Sequence, residues 1–421
     1  MTNWPAPRAH DAVQATVELP GSKSITNRAL VLAALANGPT HVSRPLRARD
    51  TELMVTALRE LGTTIVDRGQ DWFVTPRPLH GAVIDAGLAG TVMRFIPPVA
   101  ALADGAVALD GDRRARERPM AAALDALRQL GVTVEDAGDG RPPFTIRGTG
   151  GVPGGAVHID ASASSQFVSG LLLAAARYDK GVELVHVGRR AVPSGPHIDM
   201  TLDMLRRRGV DVRQPSPGTW RVLPRSIEAR DEVVEPDLSN AAPFLAAALV
   251  TGGEVTIRGW PAVTKQPGDA LRSLLSQMGA RVAHEADLLT VTGATSIAPL
   301  DADLRDTSEL VTILTALAAL ADGPSRLTGI GHTRGHETDR IHALAAEIVR
   351  LGGDVKQLPD GLLIRPRPLH GGVWRAYGDH RMATAGAVLG LAVDDVVIDD
   401  ISTTTKTLPD FPRMWSQMVG E

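Results

Sequence analysis

The sequence predicts an α/β protein of two lobes, each made of three copies of one helix-strand-helix-hairpin unit, and three observations predict it. The 421 residues are 43% hydrophobic, enough to bury a large core in about two domains. One pattern returns about every seventy residues, and such a period decides architecture before any motif does. A Pro-bearing acidic connection, Glu232-Val233-Val234-Glu235-Pro236-Asp237, separates the third copy from the fourth and marks a boundary.

Each copy opens on a short polar start, runs into an Ala/Leu-rich helix, and passes a Gly-containing turn into a Val-rich strand. The copies begin at Ser24, Thr91, Ser165, Ser239, Ser308 and Arg381. Their strands follow at 41–43, 106–109, 182–185, 254–257, 325–327 and 396–398. A second, amphipathic helix comes next and ends at a glycine, as C-cap chemistry favours, in Leu61-Gly62, Leu130-Gly131, Arg208-Gly209, Met278-Gly279 and Leu351-Gly352. The sixth such helix is expected over Phe411 to Val419. Hairpins follow, as in Thr64-Ile65-Val66 with Trp72-Phe73-Val74, and Asp354-Val355 with Leu362-Leu363-Ile364. The first helix of each unit is apolar almost all round and belongs in a core, whereas the second belongs outside. If the buried helices run the same way, their starts gather at one end of each lobe, and two such ends facing each other would form a cleft.

Composition narrows the function. Net charge is −4 and aromatics make up 3%, which favours neither nucleic acid nor a stacking platform, so cationic function is local. With no cysteine, disulfides, thiolate metal sites and Cys nucleophiles are excluded. Residues 1–19 carry no apolar export segment, and the apolar runs 241–250 and 310–321 are too short or too Thr-interrupted to span a bilayer, so a cytoplasmic protein is expected.

The chemistry concentrates at the helix starts. Pro20-Gly-Ser-Lys-Ser-Ile-Thr-Asn-Arg28 leads into the first helix with Lys23 and Arg28 beside free backbone N–H groups, and a phosphate or carboxylate meets all of these. It is not a P-loop, because Ser22 rather than Gly precedes Lys23. The later starts offer Gly90, Thr91 and Arg94; Arg113 to Arg118, opening a second helix; Ser162 to Gln166; Ser194; Glu309; His332 to Arg340; Asp379-His380-Arg381; and Lys406. Each is weak alone, since Ser/Thr clusters cap helices and charge runs are solvated. Their recurrence at corresponding places is what points to an anion-binding site. His332 and His336 stand four apart, but Glu337 fits neither zinc motif and no third ligand is evident, so no metal is expected.

Together, Pro20 to Arg28, Ala89-Gly-Thr-Val-Met-Arg94, Arg116-Glu-Arg-Pro119, Ser162-Ala-Ser-Ser-Gln166, His336-Glu-Thr-Asp-Arg340, Asp379-His-Arg-Met-Ala383 and Lys406-Thr-Leu-Pro-Asp410 resemble the 5-enolpyruvylshikimate-3-phosphate synthases, the actinobacterial branch most closely. The resemblance covers nearly the whole chain in the family's order. It implies the enolpyruvyl transferase fold, two inside-out α/β-barrel domains with the active site in the interdomain cleft. It also implies that residues 1–18 join 236–421 in one lobe, leaving 19–235 as the other.

The activity implied is transfer of the enolpyruvyl group of phosphoenolpyruvate to the 5-hydroxyl of shikimate 3-phosphate, with release of phosphate. The two substrates bring roughly five to six negative charges together, which accounts for the cations. By position, Lys23, Ser24, Arg28, Ser164, Ser165, Gln166, Ser194, Glu309 and His336 resemble the shikimate 3-phosphate contacts. Lys23, Gly90, Arg118, Gln166, Arg340, Arg381 and Lys406 resemble the phosphoenolpyruvate contacts, and Arg94 orients the site. Glu309 is the implied general base, with Glu337 and Lys23 as proton donors. Glu309 stands where Asp is frequent, His336 where Lys is, and His332 where Asn is. Gly90 leaves room for glyphosate. No cofactor, metal, nucleic acid or membrane partner is implied, and a monomer is expected. The alternatives are the sister enzyme acting on UDP-N-acetylglucosamine, which usually relies on a loop Cys, and a non-catalytic anion binder, to which Glu309 and Glu337 would be a liability.

Overall fold

A computed structural model describes residues 3–420. The chain divides into two compact units, Gly21–Val234 and Met1–Pro20 with Glu235–Glu421. Met1, Thr2 and Glu421, which the expected lobes include, lie outside the described residues.

The unit of residues 21–234 holds helices α1 (Lys23–Ala34), α2 (Arg49–Glu60), α3 (Gly90–Ala100), α4 (Ala121–Gln129), α5 (Ser165–Ala175) and α6 (Gly195–Arg206). The other unit holds α7 (Ala242–Thr251), α8 (Leu271–Gln277), α9 (Val311–Ala319), α10 (Arg340–Arg350), α11 (His380–Gly390) and α12 (Phe411–Val419). The odd-numbered helices are buried on nearly every face. In α1, for example, Ile25 through Ala34 are all buried. Of the even-numbered helices, α10 has the clear apolar stripe expected of an outer helix, with Ile341, Leu344, Ala345 and Ile348 inward.

Every repeat contributes one sheet with the same plan, a parallel strand pair extended by antiparallel pairing. In one, His80–Asp85 runs parallel to Asp104–Asp110, which pairs antiparallel with Phe144–Thr149 and then Thr133–Asp136. The leading strands 80–85, 155–159, 301–303 and 372–374 are an element that the repeat pattern in the sequence does not reveal. They are short, begin close after prolines such as Pro78, Pro153 and Pro299, and most carry little apolar alternation. In the first sheet of each unit the parallel partner comes from a distant segment. Glu232–Val233 lies beside Thr40–Ser43, and Gln14–Glu18 lies beside Glu254–Arg258. The sixth sheet has three strands, with Trp4–Pro5 antiparallel to Val396–Ile398.

Two details differ from expectation. The Arg113–Arg118 run does not open α4; it is a loop with a 3-10 turn at Ala115–Glu117, and Arg116 pairs with exposed Asp110. Ser308 likewise begins a 3-10 turn, Ser308–Leu310, that leads into α9.

Small residues let the buried helices cross closely. Gly170 of α5 abuts the Arg94 carbonyl of α3 so tightly that a methyl group there would overlap it. This crossing sets Gly90 and Arg94 beside the start of α5. Gly170→Ala is therefore expected to lower stability by about 1–3 kcal/mol through overpacking, read by denaturant unfolding. An unchanged midpoint would mean that the helices separate at no cost.

Candidate active site

In the unit of residues 21–234 the starts of α1, α3, α5 and α6 collect the predicted side chains. Lys23 reaches back to Asp50 at the start of α2 (3.4 Å), a carboxylate that is itself 2% exposed. Arg28 takes a different direction. Five residues is about 140° around a helix, so Arg28 leaves α1 on another face than Lys23, toward α5 and α6. There its Nε donates to Thr201 Oγ1 (2.8 Å), Nη1 to the Ser24 carbonyl (2.9 Å), and Nη2 to Ser169 Oγ (3.3 Å) and the His197 carbonyl (3.0 Å). Burial lowers its pKa to about 9.

Gly90, Arg118 and Gln166 converge. A methyl group at Gly90 would lie 3.2 and 3.3 Å from the Arg118 Nη atoms and 3.3 Å from Gln166 Oε1, so only glycine leaves this space open. Arg94 is buried behind them with Nη1 3.4 Å from the Gly90 carbonyl. Burial, and then the charge of Arg118, drive its pKa well down. Ser164 caps α5 by accepting the Gln166 N–H (3.2 Å). Ser194, at φ 55 and ψ 49, stands in the left-handed region immediately before α6.

In the other unit, Asp379 is the hub. Fully buried, it caps α11 by accepting the Arg381 N–H (2.9 Å) and clamps Arg340 through Nε (2.8 Å) and Nη2 (3.2 Å). Burial opposes the charge of Arg340, yet Asp379, with Glu337 and Glu309, raises its pKa above the ordinary value. Arg340 Nη1 also donates to His336 Nδ1 (3.4 Å). Arg381 donates to the Glu309 carbonyl (3.1 Å), and Ser239 Oγ donates to Glu309 Oε1 (3.4 Å). His332 meets Ser308 Oγ at 2.9 Å and stands edge-on to His336, with ring centroids 5.6 Å apart.

Glu337 lies between Lys406 (2.7 Å) and His380 Nδ1 (3.1 Å). Burial pushes its carboxyl up, but Lys406, His380 and Arg340 outweigh that and hold it well below 4.5. Burial lowers the pKa of His380. Glu337, Asp379 and His380 place ligand-type atoms within 4.8 Å of one another, but Lys406 and Arg340 already neutralise the two carboxylates, so the donor set suits ion pairing better than a metal.

Beneath this site, α10 grips the loop before α11 a second time. Buried Glu347 accepts from Tyr377 Oη (2.5 Å), the Arg375 N–H (3.1 Å) and Arg350 Nε (3.0 Å). Tyr377 has φ 55, followed by Gly378 at φ 67, and Asp379 N–H closes the turn onto the Ala376 carbonyl (2.9 Å). Asp50, His380 and Glu347 are site partners that the sequence reading did not single out for a role. Their only signal is an acid in a helix's first turn, a His beside an N-cap Asp, and an acid on the apolar stripe of α10.

The architecture is that of a class, the enolpyruvyl transferases. An EPSP synthase from Acinetobacter baumannii superposes with a TM-score of 0.80 at 23% identity, over 98% of this chain and 97% of that one. The enolpyruvyl transferase NikO from Streptomyces tendae gives 0.75 at 17%, over 98% and 96%. Within that class, the family model for EPSP synthase (3-phosphoshikimate 1-carboxyvinyltransferase) matches residues 7–415. The 3-phosphoshikimate 1-carboxyvinyltransferase of Kocuria rhizophila is 54% identical, covering 99% of this chain and 96% of that protein. The chain belongs to the EPSP synthase family. No helix among the described residues is long and apolar enough to cross a membrane.

Because Glu337 has a depressed pKa, its contribution to stability is complete above about pH 4.5 and disappears as pH falls through the depressed value. Lys406→Met removes the nearest partner charge and is expected to move the acid-unfolding midpoint, followed by circular dichroism, to higher pH. An unmoved midpoint would show that Lys406 does not hold the carboxylate.

Proposed function

We infer that the protein transfers the enolpyruvyl group of phosphoenolpyruvate to the 5-hydroxyl of shikimate 3-phosphate and releases phosphate. The observation that carries this reading is the 54% identity to a 3-phosphoshikimate 1-carboxyvinyltransferase along essentially the whole chain. The charge pattern supports it, because two substrates that each carry a carboxylate and a phosphate need compensating cations.

In this proposal Ser164, Ser165, Gln166 and Ser194 hold the acceptor's phosphate with hydroxyls and N–H groups, while Lys23, Ser24, Arg28, Glu309 and His336 meet its ring and carboxylate. Phosphoenolpyruvate takes Gly90, Arg118, Gln166, Arg340, Arg381, Lys406 and Lys23. Planar guanidinium forks match carboxylate and phosphate edges, and the Asp379 clamp on Arg340 fixes one such fork in advance. Glu309 takes the proton of the 5-hydroxyl as its oxygen bonds to the central carbon of phosphoenolpyruvate, and a proton passes to the methylene carbon. The adduct then loses phosphate and a methyl proton, which restores the double bond. Glu337 and Lys23 are the donors in this scheme. Because Lys406 and His380 keep Glu337 ionised at rest, Glu337 must first receive the proton that it passes on. The enzyme acts as a cytoplasmic monomer in this reading.

Phosphate release assayed with phosphoenolpyruvate and either shikimate 3-phosphate or UDP-N-acetylglucosamine tests it. Turnover is expected with the first acceptor alone, and turnover with the nucleotide sugar alone, or with neither, would overturn the reading. Glu309→Ala is expected to reduce kcat by about 10²–10⁴-fold with acceptor binding largely kept, measured by steady-state kinetics and calorimetry. Near-normal turnover would remove Glu309 from its role. Glyphosate, fitting the space kept open at Gly90, is expected to inhibit competitively with phosphoenolpyruvate, and full activity at millimolar inhibitor would refute that.

A further inference from the structure

Behind the serines assigned to the acceptor's phosphate stands a histidine that the reaction does not use. Strands 155–159 and 182–186 run parallel and end level, with Ile159 opposite His186. Two loops leave these ends. Residues 160–164 lead to Ser165 at the start of α5, and residues 187–194 lead to Gly195 at the start of α6.

The ring of His186 joins the two loops. Its Nδ1 accepts the Ala161 N–H (3.1 Å), and its Nε2 lies 2.8 Å from the Arg190 carbonyl oxygen. A backbone N–H only donates and a carbonyl only accepts, so the ring bridges them as the neutral tautomer with its proton on Nε2. Ser162 Oγ donates to the same Arg190 carbonyl (3.1 Å), and its own N–H is held by Asp160 Oδ1 (2.9 Å). Val187 N–H closes onto the Ile159 carbonyl (3.0 Å). Gly188 packs so near that a methyl group there would overlap Asp160 Oδ1 and Ser162 Oγ. The loop carrying Ser164 and the loop carrying Ser194 are thus knotted at their roots, on one half-buried imidazole.

We propose that His186 is a positioning residue for recognition of the acceptor's phosphate. It sets the spacing between Ser164 and Ser165 on one side and Ser194 on the other, and touches neither the phosphate nor the reacting atoms. The proposal rests on the preceding assignment of those serines. A phosphate oxygen shared between two helix starts requires their N–H groups and hydroxyls to be held at a fixed separation. Without the ring, the loops keep only the Ser162–Arg190 bond and the Val187–Ile159 closure between them, and lose the two bonds that fix Ala161 against Arg190.

The test compares His186→Ala, which removes both bonds, with His186→Gln, whose amide offers one acceptor and one donor. Ser165→Ala and Ser194→Ala serve as controls on the underlying assignment. For His186→Ala the KM for shikimate 3-phosphate is expected to rise about ten-fold, with kcat and the KM for phosphoenolpyruvate within about two-fold of the parent. His186→Gln is expected to recover most of the loss. Inhibition by inorganic phosphate, competitive with the acceptor, is expected to weaken in parallel. If the serine variants raise that KM and His186→Ala does not, the positioning role is wrong and the phosphate assignment stands. If the serine variants leave it unchanged, the assignment fails and the proposal falls with it. A uniform loss of kcat with a lowered thermal midpoint, unrelieved in His186→Gln, would assign the ring a purely structural part and overturn the proposal.

Discussion

A buried guanidinium must find partners for its charge and its N–H groups, and the site in the second unit meets that constraint with a buried carboxylate. Asp379 meets it for Arg340 with two well-aligned bonds and a third from the α11 backbone. The geometry matters because the cost of desolvating such a pair exceeds its attraction unless the remaining lone pairs are satisfied. Glu347 repeats the device two turns further along α10 and secures the Tyr377 turn that delivers Asp379. One helix therefore carries a buried cation at its first residue and the brace for that cation's partner in its interior. Packing and charge chemistry are the same problem here.

The two units solve it differently. In the second unit, acids stand beside nearly every buried cation. In the first, Arg28 is stabilised by hydroxyls and carbonyls, and Arg94 lies near the Gly90 carbonyl and within the field of the Arg118 charge. Burial lowers the pKa of both Arg28 and Arg94, so an anion bound nearby would favour their charge.

Much of this was legible in the sequence, for identifiable reasons. The buried helices announced themselves by apolar content on every side, and the glycine ends of Leu61-Gly62, Leu130-Gly131 and Leu351-Gly352 were signalled by cap chemistry, with φ 108, 89 and 93 at the three glycines. The leading strands 80–85 and 301–303 were not legible, because 301–303 is short and polar, 80–85 buries Ile84 alone, and both gain their place from a parallel neighbour, not from a core-facing alternation. Among site residues, Lys23, Gly90 and Arg340 stand out as cations or glycine at helix starts, whereas Lys406 closes a 3-10 turn, Ile401–Lys406, against the expectation of a helix start. The direction of Arg28 could not be seen, since spacing fixes the angle around a helix but not what waits there. Glu347 was hidden because an acid on an apolar stripe reads as an interruption until its tyrosine partner, thirty residues on, is known.

The sheet pairing of the first strands sets an order for synthesis. The unit of residues 21–234 is closed by Glu232–Val233, the last piece of its own stretch, so it can complete itself as soon as that stretch has left the ribosome. The strand Gln14–Glu18 emerges earlier yet has its neighbour at Glu254–Arg258. It must therefore wait, with its ladder groups bonded only to water, while the stretch up to its partner is made. The alternation of polar and apolar residues in Gln14-Ala-Thr-Val-Glu18, too polar to collapse early, suits a segment that spends its first moments without a partner.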